Sequence, residues 1–162
     1  MLNNIDLINF TDLTLEEKKM ILLWRNNPSI KRWMYNSDDI SLENHLAFIK
    51  TLKEATDKLY FLVKQNNNYI GVIDFTNINK DTKSSEFGLY ANVDLKGVGK
   101  TLLKTICEYG FNNLNLKTLR AEAFTENEKA LNLYKRFDFK EIIKKTVNNR
   151  EVVCMELNNE DR

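Results

Sequence analysis

At 162 residues and a formal net charge of +1, with 24 Lys plus Arg against 23 Asp plus Glu, the chain has the size of one compact domain and lacks the broad basic field that nucleic-acid binding draws on. Its two cysteines, Cys107 and Cys154, stand far apart beside a single histidine, which argues against a zinc site or a disulfide framework and fits a reducing cytoplasm. No basic start leads into an apolar run, and no apolar run approaches the roughly 18–20 residues of a membrane span, so a soluble cytoplasmic protein acting on a small molecule is expected, with no nucleic acid, membrane or metal.

In chain order, a first strand is expected near residues 5–10. Thr14-Leu15-Glu16-Glu17 is a capping box that opens a helix with apolar residues at 15, 22 and 23, and the Asn27-Pro28 pair stops it. Ser41 caps a second helix, with Leu42, Leu46, Ile49 and Leu52 on one stripe and His45 beside it. From residue 60 the period changes: residues 60–63, an Asn turn at 66–68 and residues 69–75 read as a β-hairpin, and 86–90 as a third strand. The chain then runs from that strand through Lys96-Gly97-Val98-Gly99-Lys100 into a helix carrying Val98, Leu102, Ile106 and Tyr109 at helical spacing.

Residues 118–124 alternate apolar and polar, and Thr125-x-x-Glu128 reads as a second capping box for a helix through Phe137. Two closing strands, about 139–146 and 150–157, meet at the hairpin turn Asn148-Asn149. A strand followed by ααβββαβαββ predicts an α/β (α+β mixed) domain spanning 1–162, its mixed sheet covered by helices.

The glycine loop is the first segment that carries chemistry. Gly97 and Gly99 permit close backbone approach, and the helix N-terminus behind them offers free N–H groups and a positive dipole end to a pyrophosphate, with Lys96 and Lys100 adding charge. The glycine spacing fits neither a Walker loop nor a dinucleotide fingerprint. About thirty residues later comes Asn127-x-x-Ala130-x-x-x-Tyr134-Lys135-x-Phe137-x-Phe139.

Together the two segments resemble motifs A and B of the Gcn5-related N-acetyltransferases (GNAT), and the resemblance covers nearly the whole chain in element order. It implies a mostly antiparallel central sheet with two parallel strands splayed apart, helices on both faces, and acetyl-CoA as co-substrate. It also implies that the amides of Gly97, Val98, Gly99, Lys100 and Thr101 hold the pyrophosphate, that Asn127 lies near the pantetheine and that Tyr134 protonates the departing thiolate. A backbone N–H at Leu89 or Tyr90, where the strands separate, would supply an oxyanion site. One departure from the family pattern is Asp94, three before the first glycine, where Gln or Arg is common; an anion there shifts the burden of phosphate binding to Lys96 and Lys100. Read without the resemblance, Tyr134 is a half-buried aromatic packed beside Leu131 and Phe137.

The amine nucleophile must lose a proton, and three carboxylates are candidates to take it. Asp74 shares a strand face with Ile70 and Val72, Glu86 shares one with Gly88 and Tyr90, and Glu122 lies on the next strand. The alternatives are ion pairs, a solvated strand face, or an amine with a pKa low enough to need no base. Cys107 has no credible His partner, so direct attack in a ternary complex is expected over an acyl-enzyme.

The N-terminal helices are expected to hold the acceptor. Trp24-Arg25-Asn26, Met34-Tyr35 and Ser41-x-x-x-His45-x-x-Phe48-Ile49 resemble the branch with ribosomal-protein acetyltransferases, and more closely the aminosugar-nucleotide N-acetyltransferases of bacterial pseudaminic acid biosynthesis. That resemblance implies a UDP-linked 4-amino-4,6-dideoxy sugar as the small-molecule partner. Arg25, Asn26 and His45 would then serve its polar groups, Arg25 and His45 meeting a diphosphate, while Met34, Tyr35 and Phe48 pack on uracil and the 6-deoxy face. Trp33, Met34 and Phe48 read equally as core. A peptide N-terminal acetyltransferase, expected to use an open groove, and a non-catalytic acyl-CoA-binding module are the rival readings, and a homodimer is compatible with the sequence.

Overall fold

The computed structural model describes residues 4–162. The elements run β1 (Ile5–Asn9), α1 (Leu15–Asn26), α2 (Pro28–Lys31), α3 (Leu42–Thr51), β2 (Leu59–Gln65), β3 (Asn68–Asn79), β4 (Ser84–Ala91), α4 (Gly99–Glu108), β5 (Thr118–Phe124), α5 (Glu128–Arg136), β6 (Lys140–Val147) and β7 (Arg150–Asn158). A π-helical turn, Tyr109–Asn113, extends α4.

Local chemistry explains most boundaries. The Thr14 hydroxyl accepts from the Glu17 N–H at 3.1 Å while the Glu17 carboxylate accepts from the Thr14 N–H at 2.9 Å, so the expected capping box is formed. Asn27 ends α1 and, through its side chain, caps α2, whose first residue is Pro28, where a missing N–H costs nothing. The Asn66-Asn67 and Asn148-Asn149 pairs all have positive φ, at 51°, 68°, 51° and 63°, which closes the tight β2–β3 and β6–β7 hairpins.

Leu15 and Leu23 are 50% and 74% exposed, and α1 packs through Ile21 and Trp24, one turn apart. One sequence expectation is corrected. Thr125 forms no capping box: its hydroxyl donates to Glu151, and Asn127 caps α5 by accepting from the Ala130 N–H at 3.3 Å.

The seven strands form one sheet in the order β1-β2-β3-β4-β5-β7-β6, and β4–β5 is its parallel pair. Side chains alternate across it. Ile73, Phe75, Phe87, Leu119 and Ala121 pack against α4 and α5 in the larger core, with Leu102 and Ile106 fully buried there. Leu62 and Val72, on the other face, join Phe10, Ile21, Trp24 and Ile49 beneath α1 and α3. Each fully buried aliphatic side chain of this kind contributes about 1.5–3 kcal/mol.

Candidate active site

The parallel pairing is short. Ser84, Ser85 and Glu86 face Thr118, Leu119 and Arg120, and no pairing follows, although β4 continues to Ala91 beside β3 and β5 continues to Phe124 beside β7. Each strand is thus held by its outer neighbour while a gap opens between them. The Asn92 N–H donates to the Ile70 carbonyl at 2.9 Å. Because N–H groups alternate sides along an antiparallel strand, those of Tyr90 and Gly88 are spent on β3 and that of Leu89 faces the gap. Of the two expected oxyanion donors, the geometry therefore offers Leu89.

α4 begins beside this gap and its first turn is bare. Val98 caps it without a side-chain hydrogen bond, and no acidic residue occupies the first turn, so the N–H groups of Gly99, Lys100 and Thr101 and the positive dipole end are available to an anion. Gly97 has φ +76°, and a β-carbon on it would meet nothing within 4 Å, so the loop is open on the side an anion would approach. A β-carbon on Gly99 would lie 3.3 Å from Leu133, which brings the start of α4 against α5. Lys96 and Lys100 are exposed, as is Asp94, whose N–H is held by the Asn92 side chain at 2.9 Å. This cradle fits a pyrophosphate. Asn127 sits at the start of α5, its side-chain oxygen used in capping.

Tyr134 lies on α5, 7% exposed, its ring edge-on to Phe87 at 5.6 Å and against Phe139 at 5.9 Å. Its hydroxyl has no protein partner among the described residues and is not sealed off, so it keeps a proton to give. Burial, with the Asp74 charge adding, pushes it up to about 12. A packed ring and a free hydroxyl thus coexist.

Asp74 is half-buried on β3. Across β2 its register partner is Tyr60, and across β4 it is Gly88. A β-carbon on Gly88 would stand 2.7 Å from Asp74 Oδ2, so the carboxylate leans over β4 toward the gap. Burial lifts it to about 7, opposed by a hydrogen bond from the Gly88 backbone. Tyr60 and Tyr90, on the same face, are raised by burial and by Asp74.

Glu122 has a different environment. Burial raises it, but hydrogen bonds from Lys145 at 2.8 Å and from the Tyr35 hydroxyl outweigh that and the net shift is downward. Glu86 lies within hydrogen-bonding reach of Glu122 and is itself bound by the Asn77 amide. Glu86, Glu122, Thr76 and Asn77 line a cavity of about 330 Å³ roofed by Met34 and Tyr35. A second cavity, also about 330 Å³, lies on the other side of Met34 and Tyr35 and reaches Phe124, Asn148 and Arg150.

The other expected acceptor residues are placed differently. The Arg25 Nη2 donates to the Asn36 carbonyl at 2.7 Å and its Nη1 is buried without a partner, while burial lowers its pKa. Asn26 is fully engaged with the Ile40 backbone, donating at 2.9 Å and accepting at 2.8 Å. His45 is 6% exposed, its Nε2 is 2.8 Å from the Lys18 carbonyl, and burial lowers its pKa. Phe48 packs edge-on against Tyr60 at 5.1 Å. Asn26 and His45 thus hold the fold together in place of the expected acceptor contacts, because the buried amide and imidazole are satisfied by backbone atoms. Sequence reasoning missed Thr76, Asn77, Lys145 and Arg150, and named Trp33 only as core and Asn148 only as a turn residue.

Residues 8–140 match the family model described as Acetyltransferase (GNAT) domain. Over 135 residues, 83% of this chain and 84% of the relative, the sequence is 49% identical to the acetyltransferase PseH of Campylobacter jejuni. The crystal structure of Campylobacter jejuni N-acetyltransferase PseH in complex with acetyl coenzyme A superposes with a TM-score of 0.80 at 40% identity, covering 96% of this chain and 99% of that chain. The spermidine N-acetyltransferase of Vibrio cholerae in complex with CoA and spermine gives a TM-score of 0.86 over 97% of this chain and 96% of that chain, but at 22% identity the likeness is one of fold. Among the described residues no group of His, Cys, Asp and Glu could hold a metal ion, and no helix is long and apolar enough to cross a membrane.

Proposed function

The chain belongs to the acetyltransferase (GNAT) domain family as an acetyl-CoA-dependent N-acetyltransferase, and from that premise we propose that its acceptor is the 4-amino group of UDP-4-amino-4,6-dideoxy-N-acetyl-β-L-altrosamine, in the cytoplasmic pseudaminic acid pathway that feeds flagellin glycosylation. The observation that carries the acceptor class is the 49% identity to the acetyltransferase PseH over 83% of the chain, and the cavity of about 330 Å³ beside the β4–β5 gap has room for a sugar ring.

Acetyl-CoA supplies an activated acyl carbon and a thiolate leaving group. The bare N-terminus of α4, with Lys96 and Lys100, holds its pyrophosphate. The Leu89 N–H is the donor available to a carbonyl oxygen in the gap. Asp74, lifted to about 7, is half ionised near neutral pH and accepts a proton from the amine, directly or through water. Glu122, lowered and paired with Lys145, is the weaker base; with Glu86 it draws and orients the incoming ammonium. Tyr134 gives its proton to the departing sulfur. Met34 and Tyr35 cover the sugar.

Acetyl-CoA turnover measured in parallel with the UDP-4-amino sugar, N-terminal peptides and spermidine tests the reading. It predicts that the sugar nucleotide is preferred by kcat/KM, and a preference for either other class overturns it.

A further inference from the structure

The segment that roofs the acceptor cavities, residues 32–36, is held from the far edge of the sheet. The Asn148 Nδ2 donates to the Tyr35 carbonyl at 2.7 Å, and the Arg150 Nη1 donates to the Arg32 carbonyl at 3.2 Å. These two carbonyls bracket Trp33 and Met34, and Met34 lies at both cavities. Arg150 is itself fixed: its guanidinium lies 3.7 Å over the Phe124 ring and pairs with Glu126 at 3.3 Å. The turn that carries Asn148 holds both of its residues in the left-handed region.

We propose that Asn148 and Arg150 are positioning residues for acceptor selection: the β6–β7 hairpin tip sets the height of the roof by clamping the backbone on either side of Trp33-Met34. The proposal rests on the reading that the acceptor lies beneath Met34 and Tyr35. It assigns the selectivity of the pocket to a hairpin more than 110 residues away in sequence, with separations of 113 and 118. Acetyl-CoA binding, which uses α4 and α5, is outside the clamp.

Asn148→Gly removes the donor and keeps a turn that glycine favours, and Asn149→Gly relaxes the same turn without losing the bond. Trp33 reports roof mobility through acrylamide quenching, because the other tryptophan, Trp24, is buried at 4% exposure. The expected result is stronger quenching in Asn148→Gly and in Arg150→Ala but not in Asn149→Gly. The KM for the UDP-4-amino sugar should rise roughly two- to tenfold with kcat and the acetyl-CoA Kd unchanged, as the loss of one net hydrogen bond implies. Unchanged quenching overturns the clamp whatever the acceptor. Stronger quenching with an unchanged acceptor KM overturns its role in selection. If the wild type does not use the sugar nucleotide while quenching still responds, the acceptor class falls and the clamp stands, and the KM arm is read on the amine the wild type prefers.

Discussion

The Asp74 carboxylate occupies the space a side chain on Gly88 would need, with 2.7 Å between Oδ2 and a β-carbon built there. Gly88 is therefore the window through which a half-buried acid reaches the gap between β4 and β5. Gly88→Ala is expected to fold, since only one methyl is added to a strand, but to displace the carboxylate and lower kcat by about 10²-fold, within the range of a lost general base. Circular dichroism and steady-state kinetics check it; unchanged kcat would mean that the carboxylate moves aside without consequence.

The lifted Asp74 also fixes the direction of two pH dependences. As a base it acts when ionised, so kcat/KM should rise through an apparent pKa near 7, and Asp74→Asn should abolish that limb. For stability the sign is opposite. The folded state binds the proton more tightly than the unfolded state, whose carboxyl titrates at 3.8, so this group's contribution falls as pH rises from about 4 through about 7. Asp74→Asn should therefore raise Tm more at pH 8.5 than at pH 5.5, a comparison that thermal melts provide.

Tyr134→Phe removes a hydroxyl with no hydrogen-bond partner among the described residues and leaves the packing on Phe87 and Phe139 intact. Single-turnover rates should fall about 10²- to 10⁴-fold. The loss should shrink with an acetyl donor whose leaving group is less basic than the CoA thiol, because such a group departs unaided. An equal, small effect with both donors removes Tyr134 from the mechanism.

At the cofactor cradle, Gly99→Glu would press a bulky anion against Leu133 at the uncapped start of α4 and should abolish detectable acetyl-CoA binding by calorimetry. Gly97→Ala meets no atom, so it should cost only the left-handed backbone strain of about 1–2 kcal/mol and bind with moderately reduced affinity.

The features legible in the sequence are those whose causes are local. The Thr14 capping box, the paired Asn turns and the Gly97–Gly99 loop each depend on residues within a few positions, and each forms as expected. The choice among carboxylates was not legible, because it depends on contacts between strands, with Glu86 near Glu122 across the gap and Gly88 opposite Asp74. His45 and Asn26 read as ligand residues because nothing local shows that the Lys18 and Ile40 backbones satisfy them. Arg150 left no signal, since its partners Arg32, Phe124 and Glu126 meet only through the fold.

The central claim is the identity of the acetylated atom, and the direct measurement is NMR of the product formed from acetyl-CoA and the UDP-4-amino-4,6-dideoxy sugar. The account predicts a new amide whose acetyl carbonyl correlates with the proton on C4 of the sugar, formed without a covalent acyl-enzyme. A sugar nucleotide recovered unmodified, while a peptide or polyamine in the same mixture is acetylated, would contradict it.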